Sequence, residues 1–204
     1  AATTTVLAFS VVEFRDAYRS VGEYENAIWG IRWATDYFLK CHPSANELFG
    51  QVADGYADHA YWGRPELMDM FRPSFKLDAG RPGSDVAGET AAALAAAAMA
   101  WRDDDGDYAD RLLSAARTVY DFGYNYRGRY TDHIPADDFY GSTGYDDELA
   151  LGAVWLYRAT GEQQYLDRAR EFYSSGTPWA LSWDDKNAAV QMLMYIATGE
   201  ENYA

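Results

Sequence analysis

Apolar residues recur at spacings of three and four along most of the chain, which is the period of an amphipathic helix. This pattern predicts helices over residues 3–20, 23–41, 84–102, 107–124, 145–159, 162–174 and 185–197. Turn residues support several boundaries, because Ser84-Asp85 suits a helix N-cap and Gly161 and Gly199 suit positions just after a helix. The chain is therefore predicted to be all-α.

Residues 42–83 interrupt this pattern. They contain four of the six prolines, several glycines and little periodicity. An irregular segment of this length inside a compact domain is usually functional or disordered. Its aromatic residues favour a functional role.

A short repeat indicates how the helices are arranged. Residues 159–165 (ATGEQQY) recur as residues 197–203 (ATGEENY), and each copy follows a predicted helix. A helix, a tight glycine turn and a returning helix together suggest stacked helical hairpins, although glycine turns also recur by chance. Because such arrays need covered ends, the abrupt start and end lead us to expect a piece truncated on both sides.

Composition narrows the possible partners. The chain has 204 residues, 49% of them hydrophobic, which is enough for one domain with a substantial core. A net charge of −15 argues against nucleic acid, anionic membranes and polyanionic substrates, and leaves neutral polymers and cations. Cys41 is the sole cysteine, so an internal disulfide is excluded, and we expect a small buried residue near a helix end.

The first candidate site lies at residues 54–66, where acids, a histidine and large aromatics occupy a predicted loop. Aromatic faces stack on the apolar C–H faces of sugar rings, while polar neighbours bind the hydroxyls. An isolated histidine is more often an ordinary structural residue. Because Asp58 precedes His59 and Trp62 follows three residues later, we favour sugar contact.

The second candidate site is the acidic stretch within residues 139–149. Asp147 and Glu148 fall in the first turn of a predicted helix, where the helix dipole alone favours carboxylates. As a catalytic pair they are poorly placed, because adjacent helical side chains diverge by about 100°. Calcium fits better, since it also accepts backbone carbonyls, which Thr143 and Gly144 would supply.

The third candidate site covers residues 179–186, which carry two tryptophans and two acids before a predicted helix. One reading is that Ser182 or Asp184 caps this helix. The other is that a tryptophan faces a cleft and that Asp184 reaches the cation site from a neighbouring hairpin.

These sites and their surroundings resemble glycoside hydrolase family 9, the inverting cellulases with an (α/α)6 barrel. The resemblance is collinear and covers nearly the whole chain. The matching segments are residues 3–9 (TTTVLAF), 32–38 (RWATDYF), 58–63 (DHAYWG), 72–76 (RPSFK), 82–90 (PGSDVAGET), 139–140 (FY), 144–149 (GYDDEL) and 183–186 (WDDK).

The resemblance implies a partial (α/α)6 barrel, a toroid of helical hairpins, with residues 1–204 as the central part of one catalytic domain. It implies that His59 and Tyr140 contact the sugar near the cleavage point. It also implies stacking platforms at Trp62, Phe139 and Trp179. The implied ligands of a structural calcium ion are Thr143, Gly144, Asp147, Glu148 and Asp184.

The resemblance places no catalytic residue in this chain, because the family's base and acid motifs match nothing within it. Both carboxylates are needed for inverting hydrolysis. We therefore expect the parent protein to cleave internal β-1,4-glucosidic bonds, and the 204 residues alone to be inactive. The implied partner is a β-1,4-glucan or cello-oligosaccharide, and the implied state is a secreted monomer.

Two other functions remain open from the sequence. One is a non-catalytic, calcium-dependent glucan-binding protein that reuses half of a barrel, although exposed apolar helix faces argue against it. The other is a different (α/α)-barrel glycoside hydrolase that acts on another glycan.

Overall fold

A computed structural model describes residues 1–203, so the predicted domain end at Ala204 lies outside the described residues. The seven helices predicted from periodicity are all present. The α-helices are α1 (Ala2–Ser20), α2 (Tyr24–Cys41), α3 (Gly55–Ala60), α4 (Ser84–Trp101), α5 (Gly106–Asn125), α6 (Asp137–Tyr140), α7 (Asp146–Thr160), α8 (Gln163–Glu171) and α9 (Asn187–Thr198). Short 3-10 turns cover Pro65–Leu67, Tyr130–Asp132 and Glu201–Tyr203.

Helices α4 and α7 form the centre of the molecule. Helix α4 is buried around most of its circumference, because its run of alanines lets other helices approach from several sides. It packs against α1, α5 and α7, and α7 packs in turn against α8 and α9. The predicted hairpin stacking is thus observed, and Gly161 and Gly199 end α7 and α9 with left-handed φ values of 70° and 69°.

A pair of glycines sets the distance between α4 and α7. A Cβ atom added at Gly88 would lie 2.5 Å from the backbone oxygen of Glu148, and one at Gly152 would lie 2.8 Å from the oxygen of Gly88. The two backbones therefore touch, which interior packing permits only where side chains are absent. This contact brings the first turn of α7 beside the first half of α4.

The segment 42–83 contains more regular structure than its sequence predicts. Strands β1 (Glu47–Val52) and β2 (Ser74–Asp78) pair antiparallel, with an irregularity in register between Phe49 and Gln51. Helix α3 and the Pro65–Leu67 turn lie in the long connection between these strands.

The predicted cap at the start of α4 is wrong. Gly83 occupies the N-cap position, and Ser84 is the first helical residue. Ser84 is buried, and its hydroxyl donates to the carbonyl of Gly123 at 2.8 Å instead. The side chain therefore ties α4 to α5 and does not cap a helix.

Two other structural expectations can be compared with the structure. Cys41 is buried at the last residue of α2, as predicted. Within residues 1–203, none of the helices combines the length and apolar character that crossing a bilayer requires.

Candidate functional site

A cavity of about 350 Å3 opens between the first turns of α4 and α7, strand β1 and the irregular segments at residues 141–142 and 183–184. It is lined by aromatic rings and by carboxylates from several elements. The lining residues that matter for its chemistry are Asp85, Glu89, Tyr140, Glu148, Trp183 and Asp184. Three of these, Tyr140, Glu148 and Asp184, are predicted site residues, and Trp183 is one of the two tryptophans that the sequence offered for a cleft.

Asp147 and Glu148 occupy the first turn of α7, as predicted, but they are not a solvated charge pair. Glu148 is only 3% exposed, and Asp147 is also buried. A carboxylate oxygen of Asp147 accepts the backbone N–H of Lys186 at 2.5 Å. Glu148 Oε1 lies 3.1 Å from Lys186 Nζ, whereas its buried Oε2 has no hydrogen-bond partner among the described residues.

Lys186 is a central residue of this site that the sequence did not reveal. It is 1% exposed, and its ammonium group lies 3.3 Å from Glu89 Oε1 as well as beside Glu148. It also donates to the carbonyl oxygen of Trp183. A lysine that follows two acids and precedes a helix reads as a surface residue, so only the tertiary structure identifies it.

Burial and charge shift the pKa values of this cluster. Burial raises the pKa of Glu148 to about 9, and the adjacent Asp147 acts in the same direction, whereas Lys186 opposes the rise. Burial lowers the pKa of Lys186, but the carboxylates of Glu89 and Glu148 outweigh it, so the net shift is upward. Burial likewise raises the pKa of Asp85, although backbone N–H donors oppose that shift.

Asp184 joins the turn at residues 182–186 to the loop before α7. Its two carboxylate oxygens accept the backbone N–H and the hydroxyl of Thr143, each at 2.8 Å. Within the same loop the Ser142 hydroxyl donates to the carbonyl of Gly144 at 2.8 Å. The structure therefore brings the five predicted calcium ligands into one neighbourhood of three chain segments.

This neighbourhood is not arranged as a metal cluster. Among residues 1–203, no group of three or more His, Cys, Asp or Glu side chains converges closely enough to hold a metal ion. The carboxylates of Asp147, Glu148 and Asp184 instead face Lys186 and Thr143.

The predicted cap at the start of α9 is also wrong. Lys186 occupies the N-cap position of this helix and makes no side-chain cap bond. The Ser182 hydroxyl accepts the N–H groups of Asp184 and Asp185 instead, at 3.2 and 3.0 Å. These bonds close the turn that presents Asp184 to the neighbouring loop.

An aromatic pair borders the cavity. The rings of Tyr140 and Trp183 lie perpendicular, with centroids 5.9 Å apart, and the side chains are 59% and 60% exposed. Both backbones are anchored, because Tyr130 donates its hydroxyl to the Tyr140 carbonyl and Lys186 donates to the Trp183 carbonyl. The pair thus presents ring surface to solvent from a fixed base.

His59 and Phe139 come together from distant parts of the chain. Their rings stack with centroids 4.0 Å apart at an angle of 23°. His59 Nδ1 lies 2.8 Å from the carbonyl oxygen of Gly55, so this nitrogen carries the proton in the neutral ring and Nε2 is an acceptor. Asp58, its sequence neighbour, pairs with Arg72 at 2.5 Å and not with His59.

Phe139 is more enclosed than a free stacking platform. Besides His59, Tyr56 approaches its edge with a centroid distance of 5.1 Å. A Cβ atom at Gly55 would lie 2.6 Å from the ring of Phe139, so this glycine makes room for the phenyl group. One ring face is therefore occupied by protein.

Trp62 and Trp179 differ from these anchored rings. They are 97% and 98% exposed, and neither lines the cavity described above. Both lie in segments without helix or strand. Their indole faces are available to a ligand but are not held by packing.

Comparison with known proteins places this geometry in a family. The model for glycosyl hydrolase family 9 matches residues 1–203. Endoglucanase 5 of Arabidopsis thaliana is 48% identical over 196 residues, which are 93% of this chain and 31% of that protein. The chain thus spans about a third of this relative's length.

Two solved structures agree with the chain over nearly its full length. The endoglucanase of the termite Nasutitermes takasagoensis at pH 2.5 matches with a TM-score of 0.96 and 48% identity, over 99% of this chain and 48% of that one. The cellulase Cel9M of C. cellulolyticum in complex with cellobiose matches with a TM-score of 0.90 and 32% identity, over the same shares of 99% and 48%. The predicted all-α fold, part of an (α/α)6 barrel, is confirmed by these matches.

Proposed function

Because the chain belongs to glycosyl hydrolase family 9, we propose that the protein that carries it hydrolyses internal β-1,4-glucosidic bonds in cellulose and related β-glucans. The observation that carries this proposal is the cavity of about 350 Å3 with the Tyr140–Trp183 pair at its border. Perpendicular, half-exposed rings beside polar groups suit a ligand with apolar C–H faces and hydroxyl edges. The cellobiose bound to Cel9M supports a glucan ligand.

Charge restricts this ligand to a neutral one. The chain carries a net charge of −15, and the carboxylates of Asp85, Glu89, Glu148 and Asp184 line the cavity. A phosphorylated or uronate-rich polymer would be repelled. Unsubstituted glucans carry no charge, and their hydroxyls can donate hydrogen bonds to such carboxylates.

The way each ring is held supports the residue roles that the resemblance implies. Tyr140 and His59 contact the sugar near the cleavage point, and the His59 Nε2 acceptor receives a hydroxyl. Trp62 and Trp179 stack on more distant sugar rings. Phe139 offers only the face opposite His59, so it supports the histidine and adds limited sugar contact.

The reaction needs two further carboxyl groups. Inverting hydrolysis uses a base that activates water and an acid that protonates the leaving oxygen, about 6.5–9.5 Å apart. In this chain Glu148 pairs with Lys186, Asp184 binds Thr143 and Asp85 accepts the N–H of Tyr130. We assign neither role to these engaged groups, so this chain supplies binding and support while other residues of the protein supply the base and acid.

A structural calcium ion is the second part of this proposal. Carboxylates and backbone carbonyls are the donors that calcium prefers, and the residues that would hold it are Thr143, Gly144, Asp147, Glu148 and Asp184. Glu148 Oε2 is buried and has no hydrogen-bond partner among the described residues, which supports the binding of a cation here. When bound, the ion would fix the loop that carries Tyr140 to the turn that carries Trp183.

The location and the oligomeric state of the protein complete the proposal. We expect the protein to act outside the cell, where β-glucans occur, and to act as a monomer. Size-exclusion chromatography with light scattering and a test for the enzyme in culture medium would check both.

Hydroxyethylcellulose, an uncharged soluble cellulose derivative, tests the proposed reaction. With the whole protein, internal cleavage should lower the viscosity of the polymer much faster than new reducing ends accumulate. The 204-residue chain alone should release no reducing ends, because it lacks the two catalytic carboxyl groups.

Two outcomes would contradict the proposal. Binding of cello-oligosaccharides by the whole protein without cleavage would favour the non-catalytic glucan-binding function. Turnover by the 204-residue chain alone would show that catalytic groups lie within it after all.

A further inference from the structure

The ammonium group of Lys186 is a buried junction between three parts of the chain. It meets Glu89 on α4, Glu148 on α7 and the carbonyl of Trp183 in the turn before α9. An ammonium group has three N–H donors and no acceptor. Glu148 Oε1 and the Trp183 carbonyl each accept a hydrogen bond from it, and the Glu89 carboxylate forms an ion pair with it at 3.3 Å.

The turn that ends at Lys186 makes three further contacts, with the first turn of α7, with the loop before it and with the end of α6. Its backbone N–H donates to Asp147 at 2.5 Å, and Asp184 accepts from Thr143. The Trp183 ring meets the ring of Tyr140. Among these links, the Lys186 ammonium is the one that connects the turn to α4, the most buried helix of the described chain.

We propose that Lys186 is a positioning residue of the glucan cleft, whose ammonium group fixes the Trp183 carbonyl and thereby holds the indole ring against Tyr140 at the cavity border. This inference rests on the proposed function for the identity of the ligand. The role is positional and not catalytic, because the ammonium group is enclosed between Glu89, Glu148 and the Trp183 carbonyl and is closed to solvent.

The physical consequence of losing the ammonium group is specific. The buried Glu148 and the partly buried Glu89 would lose their shared counter-charge, and the Trp183 carbonyl would lose its donor. Breaking one partner of a buried ion pair is strongly unfavourable because the remaining charge is uncompensated. The Trp183 carbonyl then lacks a protein donor, so we expect the turn at residues 182–186 to move outward until water reaches this carbonyl, which displaces Trp183 from Tyr140.

The test uses the whole protein with Lys186→Met, which keeps most of the length of the unbranched side chain and removes its charge and donors. Lys40→Met is the matched control, because Lys40 is exposed in the last turn of α2. Two quantities are measured well below the melting temperature of each variant. They are the amide hydrogen exchange of residues 182–186 and the dissociation constant for cellohexaose.

We expect Lys186→Met to speed exchange at residues 182–186 about tenfold and to weaken cellohexaose binding about tenfold, with exchange in α5 unchanged. Lys40→Met should match the wild type in both. If Lys186 only stabilised the fold, Lys186→Met would lower the melting temperature but would change neither the exchange at residues 182–186 nor the affinity for cellohexaose. Exchange and affinity equal to those of Lys40→Met would overturn the proposal.

A milder variant decides the matter if Lys186→Met does not fold. Glu89→Gln leaves Lys186 with Glu148 and Trp183 but weakens the link to α4, and it should speed exchange at residues 182–186 several-fold. Unchanged exchange in this variant would overturn the proposal. If the wild-type protein binds no glucan, the proposed function fails, while the exchange result still decides the role of Lys186.

Discussion

Tryptophan occurs in two different settings around the proposed cleft. Trp183 rests against Tyr140, and its backbone is tied through Lys186 to two central helices. Trp62 and Trp179 project almost entirely into solvent. A ring that is already in place loses less conformational freedom when a ligand binds. The anchored border should therefore define where the glucan lies, and the exposed tryptophans should add affinity along its length.

The largest expected effect is on stability, and it comes from breaking the contact between α4 and α7 that supports the Tyr140–Trp183 pair. Gly88→Ala should lower the free energy of unfolding by about 2–3 kcal/mol, because the added Cβ would lie 2.5 Å from the backbone oxygen of Glu148. Chemical denaturation of the whole protein measures this loss. Gly106→Ala is the control, since a Cβ there meets nothing within 4 Å. Equal stability of the two variants would contradict the close approach of α4 and α7.

A smaller effect should follow from removing calcium. Calcium at about 10 times its Kd should stabilise the wild type by about 1.4 kcal/mol relative to a chelator. Asp184→Asn should lose most of this response, because it removes one charged donor and weakens the tie to Thr143. Thermal melts with calcium and with chelator measure the difference.

Asp146→Asn is the control for the calcium experiment. Asp146 also lies in the first turn of α7, but its side chain is exposed, whereas Asp147 and Glu148 are buried. This variant should respond to calcium as the wild type does. A chelator that leaves the wild-type melting temperature unchanged would remove calcium from the account.

The smallest effect sharpens the contrast between the two kinds of tryptophan. Trp179→Ala should change stability by less than about 0.5 kcal/mol, because the side chain packs on almost nothing. It should nevertheless weaken cellohexaose binding about three- to tenfold through lost stacking. Titration calorimetry with Trp33→Ala as the control, an exposed tryptophan on α2, measures this. Equal affinity of the two variants would exclude Trp179 from the cleft.

The helices could be predicted from the sequence because burial follows the helical period. In α5 the buried residues Tyr108, Leu112, Ala116 and Val119 repeat at three and four, so the pattern alone gives the helix. The β1–β2 hairpin could not be predicted in this way. Its strands are separated by a long connection, and burial within β1 does not alternate cleanly.

The types of residue in the site could be predicted from the sequence, but the contacts between their side chains could not. The aromatic rings and carboxylates stand out in the sequence, and Tyr140, Glu148 and Asp184 line one cavity, whereas the exposed tryptophans lie outside its lining. The burial of Lys186 depends on the approach of α4 and α7, which no local pattern encodes. The same holds for Ser84, whose position suggests a cap but whose hydroxyl is used between helices.

The stereochemistry of hydrolysis tests the central claim most directly. Proton NMR of the whole protein with cellohexaose follows the anomeric configuration of the first products before they equilibrate. An inverting glucanase of this family should release the α-anomer first, since water attacks from the face opposite the leaving group. Initial release of the β-anomer, or no cleavage at all, would contradict the account.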